Sequence, residues 1–88
     1  MAIIDIYTKF MCPYCSRAKA LFDRKGACYR EIDVTMDRAG FNAMVERADG
    51  KRTVPQIFID GQHVGGSDEL AALDQRGGLD PLLGGRGA

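Results

Sequence analysis

Two cysteines separated by two residues, in Cys12-Pro13-Tyr14-Cys15, are the first side chains whose type and spacing suggest covalent chemistry. At this spacing a pair can close and reopen a disulfide, hold half of a soft-metal site, or pack as inert thiols. Position decides between these. A strand-like run and a short loop precede the pair, and an amphipathic pattern begins at Pro13, so the motif straddles a predicted helix start. With Cys12 as the N-cap and Pro13 at the first helical position, the Cys12 sulfur faces the backbone N–H groups of Tyr14 and Cys15. A sulfur anion is stabilised there. The helix dipole supplies at most about 2 kcal/mol, and the remainder is expected from direct N–H···S bonds and a neighbouring cation, for which Lys9 stands three residues upstream. Residues three apart on a first turn lie roughly 5 to 6 Å from each other, which a disulfide tolerates. Cys12, at the tip, is expected to be the attacking thiolate. Cys15, on the face shared with Ala18 and Phe22, is expected to be the resolving thiol.

The competing chemistries find less support. Cys28 opens an alternating strand pattern and reads as a small core residue, and His63 reads as an exposed hairpin residue. These are the only other soft ligands, and neither a second C-x-x-C nor a histidine pair completes a zinc site, so no metal is expected. Three cysteines are an odd number, unlike the even framework of a stapled secreted domain, which points to a reducing, cytoplasmic setting. Met1-Ala2-Ile3 leads straight into strand-like sequence without a charged leader, and no apolar run approaches the roughly 20 residues of a membrane span, so neither export nor a membrane is expected. Twelve basic side chains balance twelve acidic ones, which argues against a nucleic-acid partner. The balance is uneven along the chain. Residues 1–30 carry six basic side chains and two acidic ones, a charge of +4, and the rest carries −4. That excess is either a solvated helix face or a positive field for an anionic small molecule or a thiolate.

The elements that must hold this motif follow from periodicity. The run over 3–8 is β-branched and almost continuously apolar, as in a central strand covered on both faces. A helix is predicted over 13–25, stopped by Gly26. The alternation over 28–34 puts Cys28, Ile32 and Val34 on one face of a second strand and Tyr29, Glu31 and Asp33 on the other. Phe41, Met44, Val45 and Ala48 recur at helical spacing over 38–48. Residues 56–59 and 62–65 flank Asp60-Gly61, a strong hairpin signal. Ser67 is expected to cap a helix with Asp68 and Glu69 in its first turn, ending at Gly77-Gly78, and residues 79–83 add a last short turn. The result is an α/β domain over 1–84, with a four-stranded mixed sheet flanked by helices on both faces, strand 4 antiparallel to strand 3, and a flexible tail over 85–88. Spacing alone does not order the strands.

The motifs of the whole chain, taken together, resemble the glutaredoxin family, in its small bacterial dithiol type. Tyr7-Thr8-Lys9 before Cys12-Pro13-Tyr14-Cys15, then Thr53-Val54-Pro55, Gly65-Gly66-Ser67-Asp68 and Gly77-Gly78-Leu79 carry the likeness. The resemblance implies the thioredoxin fold with strand order 2-1-3-4, and a cis peptide bond before Pro55 that brings Val54 beside Cys12. It implies glutathione as reducing cosubstrate, with no metal. Lys9 and Tyr14, with Arg52 and Asn42, would meet the glycine carboxylate; Thr53, Val54 and Pro55 would pair with the peptide as an added strand does; and Gly66, Ser67 and Asp68 would hold the γ-glutamyl end at a helix N-terminus. The implied activity is reduction of protein disulfides and of protein–glutathione mixed disulfides by a monomer. Glutathione reductase would act indirectly, and disulfide-containing or glutathionylated proteins, ribonucleotide reductase being one candidate, would be partners. Thioredoxins usually carry Trp-Cys-Gly-Pro-Cys, and this chain has no tryptophan. Monothiol cluster carriers have Cys-Gly-Phe-Ser, against which Pro13 and Cys15 count.

Overall fold

The computed structural model describes residues 2–84. In chain order it forms β1 (Ile4–Thr8), α1 (Pro13–Arg24), β2 (Arg30–Asp33), α2 (Arg38–Arg47), β3 (Gln56–Ile59), β4 (Gln62–Gly65), α3 (Ser67–Gln75) and α4 (Leu79–Leu82). The sheet is ordered β2-β1-β3-β4, with β1 parallel to β2, antiparallel to β3, and β3 antiparallel to β4. All five residues of β1 are buried, because helices cover this strand from both sides. On one face Ile4, Ile6, Ile57 and Ile59 pack with Ala18 and Phe22 of α1, Leu70 of α3 and Leu79 of α4. On the other, Tyr7, Val34 and Phe58 pack with Met44 and Ala48 at α2. The two cores bury β1 between them, and the loop that leads to α1 leaves from this buried strand.

Local chemistry explains the joints. Gly26 takes φ +68°, its N–H bonds the Asp23 carbonyl and Ala27 N–H bonds the Phe22 carbonyl, closing α1 after its cap at Lys25. Asp60 and Gly61 both have positive φ, 51° and 83°, the backbone of a two-residue hairpin turn whose twist matches the strands. Asp37 caps α2 by accepting the Gly40 N–H at 2.9 Å.

Four expectations are corrected. Ile3 lies outside β1 and is 68% exposed, because its β-branched side chain fits the strand pattern but no partner strand extends that far. The second strand starts at Arg30, and Cys28 before it is exposed rather than in the core. Tyr29 takes the inward position there, packing near Phe22 with ring centroids 5.8 Å apart. Gly66, not Ser67, is the N-cap of α3, and the Glu69 carboxylate accepts the Gly66 N–H at 2.8 Å. His63 is half-buried rather than exposed, stacked on Phe58 at 4.9 Å. The expected tail over 85–88 lies outside the described residues.

A carboxylate sits inside the central strand. Asp5, 6% exposed, receives Arg30 through two hydrogen bonds at 2.9 and 3.1 Å and Arg47 at 3.2 Å. Arg47 also donates to the Tyr7 hydroxyl at 2.9 Å and lies over the Phe58 ring at 4.1 Å. Lys19 pairs with Glu31, and Lys25 with Asp74 and Asp80. The basic excess of the first 30 residues is thus partly absorbed by acidic partners, most of them from later in the chain.

Candidate active site

The loop Lys9-Phe10-Met11 delivers the chain from β1 to α1. It is pinned where the Phe10 N–H donates to the Thr35 hydroxyl at 2.7 Å. Cys12 is the N-cap of α1, with extended φ −109° and ψ 106°, and Pro13 is the first helical residue. Its sulfur accepts the Cys15 N–H at 3.2 Å. The Tyr14 N–H, expected as a second donor, is not among the hydrogen-bond partners of this sulfur, so one direct bond and the helix terminus carry the stabilisation here. Cys12 is half-buried and Cys15 buried. Burial pushes the Cys15 thiol up to about 12, and the hydrogen bond and charge of Cys12 push the same way, against the Lys9 backbone and the Lys19 charge. Cys15 therefore keeps its proton at neutral pH while the two sulfurs face each other.

The Val54-Pro55 bond is cis, as the resemblance implied, and the Cys12 thiol lies 3.9 Å from the Val54 carbonyl oxygen. The remaining expected residues fall into two grooves. Tyr14, Thr53, Val54, Pro55, Gly66, Ser67 and Asp68 line one of about 250 Å³. Its rim includes the first turn of α3, whose opening N–H groups have no helical carbonyl to bond. Lys9, Asn42 and Arg52 line a separate, open groove of about 520 Å³ with Met36, Arg38 and Phe41. The Lys9 ammonium stands 4.7 Å from the Phe41 ring centroid and the Arg52 guanidinium 5.2 Å from it. The ammonium thus lies against an aromatic ring and is not among the hydrogen-bond partners of the Cys12 sulfur, beside which it was expected as the thiolate's cation. Tyr14 is half-exposed, with Arg17 over its ring at 5.2 Å. Among the described residues, no group of three or more His, Cys, Asp or Glu side chains is arranged to hold a metal. No helix there is long and apolar enough to cross a membrane.

One residue that sequence reasoning passed over, Gln56, borders this site, and it is joined by His63, expected as an exposed hairpin residue. Gln56, 1% exposed, donates its amide to the Thr53 carbonyl at 3.0 Å and the Thr53 hydroxyl at 3.2 Å, and its oxygen lies 2.7 Å from His63 Nε2. The available signal was a polar residue opening an otherwise apolar strand.

Comparison with known proteins agrees with this geometry. The family model described as Glutaredoxin matches residues 4–64. Glutaredoxin 3 of Escherichia coli K12 is 57% identical over 83 residues, covering 94% of this chain and 99% of that protein. A probable glutaredoxin of Synechocystis is 54% identical over 82 residues, 93% of each chain. The solution structure of glutaredoxin from Brucella melitensis superposes with a TM-score of 0.82 at 52% identity, covering 94% of this chain and 89% of that one. The crystal structure of a buckwheat glutaredoxin–glutathione complex superposes with a TM-score of 0.83 at 38% identity, covering 91% and 74%. With a dithiol at the start of α1, a sheet of the expected order and relatives along nearly its whole length, the chain belongs to the glutaredoxin family and is a glutathione-dependent thiol-disulfide oxidoreductase.

Proposed function

We propose that glutathione lies extended along the groove beside Cys12, with its cysteine sulfur at Cys12 and its backbone paired to Val54. Ser67 and Asp68 at the start of α3 hold the γ-glutamyl end, the amides taking its carboxylate and the Asp68 side chain its amine. Tyr14 borders the glycine end, and Lys9 and Arg52, with Asn42, attract its carboxylate from the neighbouring groove. The observation that carries this reading is the placement of the Cys12 sulfur at a helix N-terminus, within 3.9 Å of the Val54 carbonyl.

The exchange balances without a metal or nucleotide. The Cys12 thiolate attacks the glutathione sulfur of a protein–glutathione disulfide, the protein sulfur leaves and takes a proton, and Cys12 becomes glutathionylated. A second glutathione thiolate then attacks the glutathione sulfur on Cys12, frees the Cys12 thiolate and departs as glutathione disulfide, so each turnover consumes one free glutathione and the other half of the disulfide comes from the substrate. With a protein disulfide, Cys12 forms the mixed disulfide and Cys15 attacks the Cys12 sulfur, releasing the reduced protein and leaving a Cys12–Cys15 disulfide, which two glutathione molecules reduce as they become glutathione disulfide. Once Cys12 is in a disulfide, its charge no longer opposes ionisation of Cys15, so the resolving thiol becomes easier to ionise when it is needed. A separate glutathione reductase recharges the pool. The odd cysteine count fits a reducing setting such as the cytoplasm. A monomer acting there on disulfide-containing or glutathionylated proteins completes the proposal.

The test is steady-state turnover with glutathione and glutathione reductase beside an assay with thioredoxin reductase, using wild type, Cys12→Ser and Cys15→Ser. Cys12→Ser should abolish all turnover. Cys15→Ser should retain deglutathionylation and lose reduction of protein disulfides. Equal loss in both variants, or service by thioredoxin reductase alone, refutes the assignment.

A further inference from the structure

We propose that Gln56 and His63 are positioning residues for glutathione exchange: they fix the wall of the groove against which Cys12 works, without touching the reacting atoms. The argument starts from the buried amide of Gln56. One end faces the Thr53 carbonyl at 3.0 Å, an oxygen that can only accept, so the amide NH₂ must point there. The same NH₂ reaches the Thr53 hydroxyl at 3.2 Å. The amide oxygen is then turned to His63 Nε2 at 2.7 Å, and that nitrogen must carry a hydrogen. The direction of every bond in the chain His63 to Gln56 to Thr53 is thereby determined.

The consequence reaches the site through covalent neighbours. Thr53 and Val54 line the groove of about 250 Å³, and the Val54 carbonyl is 3.9 Å from the Cys12 sulfur. Without a donor at residue 63, the Gln56 oxygen is buried and unpaired, at 1% exposure. Rotating the amide to avoid this would turn its oxygen onto the Thr53 carbonyl, a repulsive contact. The unpaired oxygen destabilises this orientation of the amide, and rotating it gives up both bonds to Thr53, so in each case the strand-like wall beside Cys12 is held less firmly. His63 is itself held in place, half-buried and stacked on Phe58 at 4.9 Å.

This inference rests on the reading that the groove takes glutathione, and the test separates the two. Turnover is measured with a peptide disulfide-linked to glutathione and with the same peptide disulfide-linked to free cysteine. Wild type should favour the glutathionylated peptide; equal use of both refutes the glutathione reading and the inference with it. His63→Phe keeps an aromatic stack without the donor, and His63→Gln keeps a donor without the stack. His63→Phe should raise KM for the glutathionylated peptide about five- to tenfold, with kcat within about twofold, and His63→Gln should restore KM. A KM unchanged in His63→Phe, or raised equally in both variants, overturns the inference. Should neither variant fold, ¹⁵N NMR of the imidazole in the wild-type protein decides: a proton on Nε2 supports the relay, and a neutral ring protonated only on Nδ1 overturns it.

Discussion

Burial of Cys15 has a kinetic consequence that can be worked through. In the reduced protein its thiol is raised from 9.0 to about 12. At pH 7 the thiolate fraction is then roughly 10⁻⁵, against roughly 10⁻² for a thiol titrating at 9.0, a deficit of about a thousandfold. A more basic thiolate is the better nucleophile, and with a Brønsted slope of about 0.4 to 0.5 the three-unit rise returns about 16- to 32-fold. The net handicap is about 30- to 60-fold. This is an upper bound for the resolving step, because glutathionylation of Cys12 removes its charge and the hydrogen bond it makes as a thiolate, leaving burial as the main cause. The perturbation is to load Cys12 with glutathione, jump the pH in the absence of free glutathione, and follow release of glutathione by rapid acid quench and mass spectrometry. The rate should climb about tenfold per pH unit through neutrality and show no plateau below about pH 9. A plateau near pH 7 to 8 would refute the claim that burial governs Cys15. The same slowness at neutral pH gives a second glutathione time to release Cys12 directly, which favours the one-cysteine route.

Lys9→Ala and Arg52→Ala should each raise KM for the glutathionylated peptide about two- to fivefold at low salt, with the effect shrinking as ionic strength rises; a KM indifferent to both removes them from the binding account. Asp5→Asn should cost about 1 to 3 kcal/mol of stability in urea unfolding at pH 7, since it strips the anion from Arg30 and Arg47. Burial raises the Asp5 carboxyl, but the two guanidinium partners outweigh it and hold the group below the ordinary carboxylate range. Its contribution is therefore complete above the unfolded value of about 3.9 and is lost as pH falls through the lower folded value, so wild type and Asp5→Asn should converge in strong acid. A stability gap that persisted there would contradict this sign. Cys28, exposed and distant in the chain from the dithiol, should react with a thiol reagent in the native protein, and Cys28→Ser should leave turnover unchanged. Loss of activity in that variant would show a role the geometry does not provide.

The element order and the redox motif were legible because their causes are local. Pro13 after Cys12 and the 3,4 spacing to Phe22 place a sulfur at a helix start, and Asp60-Gly61 turns one strand back on the next, whatever lies elsewhere in the chain. The residues that could be misread are those whose surroundings come from far away. Cys28 and Ile3 fit strand patterns, yet each lies just outside a strand with its side chain exposed, Ile3 even though its carbonyl accepts the Asp60 N–H at 2.7 Å. The Lys9 backbone leads to Cys12, yet its ammonium goes to Phe41 on α2, a ring brought there by sheet packing.

Sequence alone singled out the Cys12-Cys15 dithiol at a helix start, the hairpin and, through its likeness to a family, the use of glutathione. Only tertiary structure decided what surrounds them: that Asp5 in the central strand meets Arg30 and Arg47, 25 and 42 residues away, and that a buried glutamine links His63 to Thr53. The division has one physical cause. Backbone propensity and the end of a helix act within one or two turns, whereas desolvation and pairing of polar side chains depend on which strands lie side by side, which the strand order β2-β1-β3-β4 sets and local spacing does not.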